Sequence, residues 1–140
     1  MSRNKVETVI VGAGPYGLSL ASHLSHRGIE RRIFGFPMRT WRHMPPGMNL
    51  KSFGFATSIP TPKPHYTLPE YCRSRGLEDF EPISFETYSE YGEWFQQQLV
   101  PDVEQQVPRR GHGVMPIPRE LAERVQLGRA RPGEQPVPGL

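Results

Sequence analysis

The feature that most constrains the fold of this chain is the spacing of Gly12, Gly14 and Gly17, which gives the pattern GxGxxG. The pattern directly follows Lys5 to Val11, a stretch rich in β-branched residues that predicts a short strand buried in a parallel sheet. The first glycine permits a tight turn, the second lets backbone approach a diphosphate, and the third lets a helix pack closely on the strand. The pattern therefore predicts a dinucleotide site with the diphosphate at the head of the first helix.

A helix and a second strand are expected after the glycines. Pro15 suits the first helical position, because the N–H that proline lacks would have no partner there. Apolar residues recur at helical spacing from Leu18 to Leu24, and Gly28 supplies a stop. Arg31 to Phe34 predicts a second strand, and a helical crossover requires it to run parallel to the first. The first third of the chain is thus predicted to form a βαβ unit.

Residues 35–69 predict a long irregular loop, since six prolines between Pro37 and Pro64 remove too many backbone donors for a helix or a central strand. The loop is also rich in aromatic residues and methionine, so we expect it to lie against the sheet or a ligand. A helical turn or two is expected over Pro69 to Ser74.

A longer helix is predicted after Pro82, with Ser84 as its N-cap and Pro101 as its end. Its apolar face carries an aromatic stripe, which is interpreted as core packing in preference to a cofactor contact. The stripe consists of Tyr88, Tyr91, Phe95 and Leu99.

Composition excludes several classes of protein. Residues 1–75 carry a net charge of +8 and residues 76–107 carry −8, so these two blocks can neutralise each other, and the net charge of +3 equals that of residues 108–140. No nucleic-acid partner is therefore expected. Cys72 is the only cysteine, which excludes an intrachain disulfide. His23 and His26 are three residues apart on the first predicted helix, but no acid or cysteine at matching spacing could complete a metal site with them. No apolar run near the N-terminus is long enough for a signal peptide or a membrane span. A cytoplasmic protein with no metal site is expected.

The residues at the end of the second strand do not identify which dinucleotide binds. An acid about 20 residues beyond the glycines usually binds the ribose hydroxyls of a dinucleotide, but Gly35 stands at that place. A small residue followed by Arg39 and Arg42 would suit a 2′-phosphate and hence NADP.

Three segments together resemble the N-terminal part of FAD-dependent oxidoreductases related to the flavin monooxygenases and N-hydroxylating monooxygenases. They are TVIVGAGPYGLSLASHL, IFGFPMRTWRHMPPGMNLKS and ISFETYSEYGEWFQQQLVPDVE, and the resemblance covers about residues 5–107. It implies FAD as the cofactor, an Arg39 to Arg42 segment beside it, and a Met48 to Ser52 loop that approaches the flavin. The implied cofactor-binding residues are Gly12, Gly14, Pro15, Tyr16, Gly17, Arg39, Trp41 and Leu50.

The resemblance also implies NAD(P)H and a small-molecule substrate in the full-length family, whose later nicotinamide and flavin-contacting segments have no counterpart here. No catalytic residue is assigned, since the reactive centre in such enzymes is the flavin. We expect an incomplete Rossmann-like α/β domain over residues 1–107 and an Arg/Pro/Gly-rich, mostly disordered tail over residues 108–140, with a short helix near residues 119–127.

A truncated or frameshifted coding sequence would explain this pattern, and a two-stranded start is expected to be inactive by itself because it cannot bury its apolar faces. The alternative is an NADP- or nucleotide-binding, non-enzymatic module that completes its fold with a partner chain. A third interpretation is an unstable gene remnant without function.

Overall fold

The computed structural model describes residues 6–78 and 80–105. The tail expected over residues 108–140 and its short helix lie outside the described residues. The described part is an α/β structure, as predicted. Its elements in chain order are β1 (Thr8–Val11), α1 (Pro15–His26), β2 (Arg31–Phe34), α2 (Arg39–Arg42), a 3₁₀ turn (Gly54–Ala56), α3 (Leu68–Ser74) and α4 (Phe85–Leu99).

The predicted βαβ unit is confirmed. β1 and β2 pair in parallel, with Thr8 opposite Arg31 and Val11 opposite Phe34. The pairing extends into the glycine pattern, because the Gly12 N–H donates to the Phe34 carbonyl at 2.8 Å. The end of β2 therefore fixes where the glycine turn begins.

A third segment forms an isolated bridge with the outer edge of β2, beyond the two strands that the sequence predicts. The Glu104 N–H donates to the Ile33 carbonyl at 2.9 Å, and the Gly35 N–H donates to the Glu104 carbonyl at 3.0 Å, in a parallel bridge. The Glu104 carboxylate also accepts two hydrogen bonds of 2.7 Å from the Arg32 guanidinium. A bridge this short, soon after Pro101, leaves no alternating pattern by which sequence could indicate it.

β1 is buried on one face only, which corrects the prediction that the first strand is buried in the sheet. Ile10 and Ile33 belong to the core that α1 completes. On the opposite face Val9 and Val11 remain 47% and 62% exposed. The β-branched run is apolar on both faces, as in a parallel sheet, but the described residues cover only the face that carries α1.

The loop over residues 35–69 is less irregular than predicted, because it contains the single turn of α2 and the 3₁₀ turn. Its contact with the core is confirmed by Met38 and Ile59, which are 0% and 2% exposed. Several of its aromatic residues stay in solvent, including Phe53 and Phe55, at 65% and 79% exposure.

The C-terminal helix follows its prediction closely. Ser84 is the N-cap of α4, and its side-chain oxygen accepts from the Thr87 N–H at 3.0 Å. Tyr88, Tyr91 and Phe95 of the aromatic stripe are buried. The helical turns predicted over Pro69 to Ser74 are also confirmed, as α3. This helix begins with a capping box between Thr67 and Glu70.

Ser84→Ala is expected to lower the free energy of unfolding by about 1 kcal/mol, because the Thr87 N–H loses its side-chain partner at the helix terminus. Denaturant titration followed by circular dichroism measures the change. Ser84→Asn is the matched control and should stay within about 0.5 kcal/mol of the wild type, since asparagine caps equally well. Equal losses in both variants would show that the cap does not stabilise α4.

Candidate dinucleotide-binding site

The glycine turn between β1 and α1 is the centre of the site. Gly12 adopts a φ of 115°, a conformation that side chains rarely allow. A Cβ on Gly17 would overlap the carbonyl oxygen of Gly12, whereas a Cβ on Gly14 would meet nothing within 4 Å. Packing therefore requires a glycine at position 17, whereas Gly14 faces open space.

The head of α1 can receive an anion. Pro15 is its first residue, and Gly14 at the N-cap has no side chain with which to cap the first turn. Such a helix end presents free N–H groups and the positive end of the helix dipole. Since an added Cβ at Gly14 would enter empty space, a diphosphate can approach the backbone at this point.

Two cavities meet at this helix head. The larger, about 460 Å³, lies between the glycine turn, the end of β2 and α2. The smaller, about 330 Å³, lies between the first turn of α1, residues 50–60 and α4. Pro15 and Trp41 line both. Two cavities that share lining residues at a helix end suited to an anion match a ligand with two ring systems linked through a diphosphate.

The close contact between Gly35 and the glycine turn explains why β2 is not followed by an acidic residue. Gly35 has a φ of 139°, and a Cβ there would lie 2.9 Å from the Ala13 nitrogen, so any side chain would collide with the glycine turn. Arg39 is the only charged residue among those that line this cavity, and its guanidinium lies 5.2 Å from the centre of the Phe36 ring. The two arginines suggested for a 2′-phosphate differ, because Arg42 is paired with Glu93 at 2.7 Å and does not line this cavity.

Met38 connects the glycine turn to α4. Its N–H donates to the Ala13 carbonyl at 3.1 Å, and its φ of 53° turns the chain into α2. Its fully buried side chain lies against Gly92, where a Cβ would overlap the Met38 side-chain atoms. A glycine in the middle of α4 thus makes room for the methionine that holds the turn. The contact could not be predicted from local sequence patterns, because Met38 and Gly92 lie 54 positions apart.

The smaller cavity is bounded by aromatic rings and carries no charged side chain among its lining residues. Trp41 packs edge-on against Tyr88, with ring centroids 4.9 Å apart, and against Phe85 at 5.5 Å. Tyr16 stands at the mouth with 92% of its surface exposed. Leu50, from the loop expected near the flavin, also lines this cavity.

The structure brings most of the sequence-predicted residues together. Gly12, Gly14, Pro15, Arg39 and Trp41 line the larger cavity, and Tyr16 and Leu50 line the smaller one. Gly17 lines neither and serves the contact between helix and strand.

Tyr88, which the sequence assigned to core packing, also lines the smaller cavity. Cys72 lies elsewhere in the core, where burial raises the pKa of its thiol and disfavours the reactive thiolate.

Comparisons with known proteins agree with this geometry. Residues 5–35 match the family model described as FAD binding domain. The fold is similar to bacillithiol disulfide reductase Bdr from Staphylococcus aureus, with a TM-score of 0.57, 21% identity, and coverage of 73% of this chain and 28% of that one. It is also similar to L-lysine 6-monooxygenase from Pseudomonas syringae, with a TM-score of 0.55, 19% identity, and coverage of 76% and 32%. No curated protein matches the sequence significantly.

The fold of the described residues is therefore similar to part of each of these two enzymes, and the family match over residues 5–35 agrees with the resemblance found in the sequence. The matched part of this chain spans about a third or less of the length of each of these solved structures. Within residues 6–78 and 80–105, none of the helices has the length and apolar character that crossing a bilayer requires.

Gly17→Ala is expected to destabilise the fold by about 1–3 kcal/mol or more, because the new methyl group forces α1 away from Gly12. Thermal unfolding of the two proteins measures the loss. Ala21→Gly on the same helix is the control. It changes helix propensity and buried volume, but it does not overpack the contact between helix and turn. A Gly17→Ala protein as stable as the wild type would show that the helix and the turn are not in this close contact.

Proposed function

We propose that this chain binds FAD, with the diphosphate at the head of α1, the adenosine half in the larger cavity and the flavin half in the smaller one. The single observation that carries the proposal is the uncapped helix head placed where the two cavities meet. The family match over the same glycine turn supports FAD as the ligand.

The chain's own residues have distinct tasks in this proposal. The main-chain amides of the first turn hold the diphosphate, and the absent side chain of Gly14 gives the phosphates access. Trp41 lines both cavities and is held in place by Tyr88 and Phe85. When bound, FAD supplies the redox chemistry, while the protein supplies binding and orientation.

The wider activity that we propose is that of a flavin-dependent oxidoreductase of the monooxygenase type, with NAD(P)H as reductant and a small molecule as substrate. The similarity to a disulfide reductase and a monooxygenase supports a flavoprotein but does not choose between their reactions. Residues 6–78 and 80–105 leave one face of β1 exposed at Val9 and Val11. We therefore propose that turnover requires further polypeptide on that face, and that this chain alone is inactive.

Gly14→Ala is expected to weaken FAD binding at least about tenfold, corresponding to roughly 1.4 kcal/mol, because its methyl group enters the space left for the diphosphate. Its stability should stay close to that of the wild type, since the methyl group meets no protein atom within 4 Å. Quenching of flavin fluorescence during titration of the 140-residue chain measures the affinity.

Thermal unfolding of the same Gly14→Ala protein is the control for folding. Unchanged FAD affinity in a folded variant would place the diphosphate elsewhere, and a wild-type chain that binds neither FAD nor ADP would overturn the proposed function.

The second candidate function is a nucleotide-binding module that takes NADP. It is favoured by the larger cavity, where Gly35 replaces the ribose-binding acid and Arg39 is the only charged lining residue. A guanidinium suits a 2′-phosphate. Such a module would complete its fold with a partner chain over Val9 and Val11, and it would copurify with that partner in equal amounts without flavin.

Arg39→Ala distinguishes the two candidates. If NADP is the ligand, the wild-type chain should bind NADP more tightly than NAD, and the variant should lose that preference. Arg42→Ala removes the same charge from a residue that is paired with Glu93 and lies outside this cavity, so it should keep the preference. Equal affinity of the wild type for NADP and NAD, measured by calorimetry, would reject the NADP candidate.

A further inference from the structure

Tyr88 is unusual among the buried aromatic residues of α4. It is 6% exposed, yet it lines the smaller cavity together with Pro15 and Tyr16 at the head of α1. Trp41 covers the ring from one side at 4.9 Å, and Tyr91 lies 6.2 Å away along the helix. These contacts fix the position of the ring. The remaining polar atom of the side chain is the hydroxyl oxygen.

The hydroxyl of Tyr88 forms no hydrogen bond within the part of the chain that the structure describes, although the residue as a whole is buried. It is not sealed in the core either, because no unpartnered side-chain oxygen among the described residues is fully enclosed. Since Tyr88 is otherwise covered and lines this cavity, the hydroxyl faces the cavity. Burial, with a smaller contribution from the nearby Tyr16 phenol, raises the pKa of Tyr88 to about 12.

The other hydroxyl groups around this cavity are already used or solvated. Ser52 and Thr57 bond each other at 2.8 Å, and the Ser58 hydroxyl accepts from the Leu68 N–H at 3.0 Å. The Tyr16 side chain is 92% exposed, so water can satisfy its hydroxyl. Tyr88 alone among these combines a mostly buried side chain with a hydroxyl that has no partner among the described residues and faces the cavity.

From this geometry we infer that Tyr88 is a ligand-binding residue, whose hydroxyl donates a hydrogen bond to an acceptor oxygen or nitrogen on an uncharged ring system in the smaller cavity. The cavity favours such a ligand, because its lining is aromatic and aliphatic and has no charged side chain. The inference rests on the proposed function, in which this ligand is the flavin half of FAD, and it adds a specific recognition contact to that half.

Tyr91 provides a matched control one turn further along α4. It is also a buried tyrosine, but its hydroxyl is fully used inside the protein: it accepts from the Ile59 N–H at 3.0 Å and donates to the Tyr66 carbonyl at 2.7 Å. Loss of this hydroxyl leaves two main-chain groups without partners. Tyr91 therefore serves folding, and Tyr88 serves the ligand.

The experiment compares Tyr88→Phe and Tyr91→Phe in the 140-residue chain, with FAD and ADP as probes. Tyr88→Phe should weaken FAD binding roughly two- to tenfold, as expected for loss of one hydrogen bond, and leave ADP binding and Tm unchanged. Tyr91→Phe should lower Tm by about 4 °C or more and leave the FAD affinity of the folded protein unchanged. Fluorescence titration, calorimetry and thermal unfolding measure these quantities.

The outcomes separate this inference from the proposed function. If ADP and FAD both bind and Tyr88→Phe leaves FAD affinity unchanged, the role of Tyr88 is overturned and the dinucleotide site stands. An equal loss of FAD and ADP affinity would also overturn it, because the contact would not be with the flavin half. If the wild type binds neither probe, the proposed function fails and this inference fails with it.

Discussion

The contact on which the rest of this structure depends is the close approach of α1 to the end of β1. Gly17 lies against the carbonyl of Gly12 so closely that not even a methyl group fits between them. This contact places the first turn of α1 directly above the end of the strand, with Gly14 facing open space. An anion-binding helix end is common in proteins, but here its position relative to the sheet is set by a steric contact that only glycine permits.

A second layer of contacts holds that turn in place. Met38 hydrogen-bonds to Ala13, and its side chain fills the space that Gly92 leaves in α4. Trp41, in α2, packs edge-on against Tyr88 of α4. Because α4 supports both, the shape of the two cavities depends on a helix whose sequence is remote from the glycine pattern.

The two cavities differ in the polar groups that line them, and this difference would favour one orientation of a bound dinucleotide. The larger has one guanidinium, from Arg39, and the smaller has no charged lining residue but is lined by Tyr88, whose hydroxyl has no partner among the described residues. A dinucleotide with unlike halves would therefore bind in one orientation. In the proposed binding mode its two halves would join near Pro15 and Trp41, which line both cavities.

Sequence determined the local features, because strand, glycine turn, helix and N-cap depend on neighbouring residues: the βαβ unit and the cap at Ser84 could be predicted. Tertiary structure decided the pairings between distant segments. These include the bridge at Glu104, the exposed face at Val9 and the contact of Met38 with Gly92. The role of Tyr88 belongs to the same group, since a helical stripe has the same period whether a hydroxyl on it meets protein or faces a cavity.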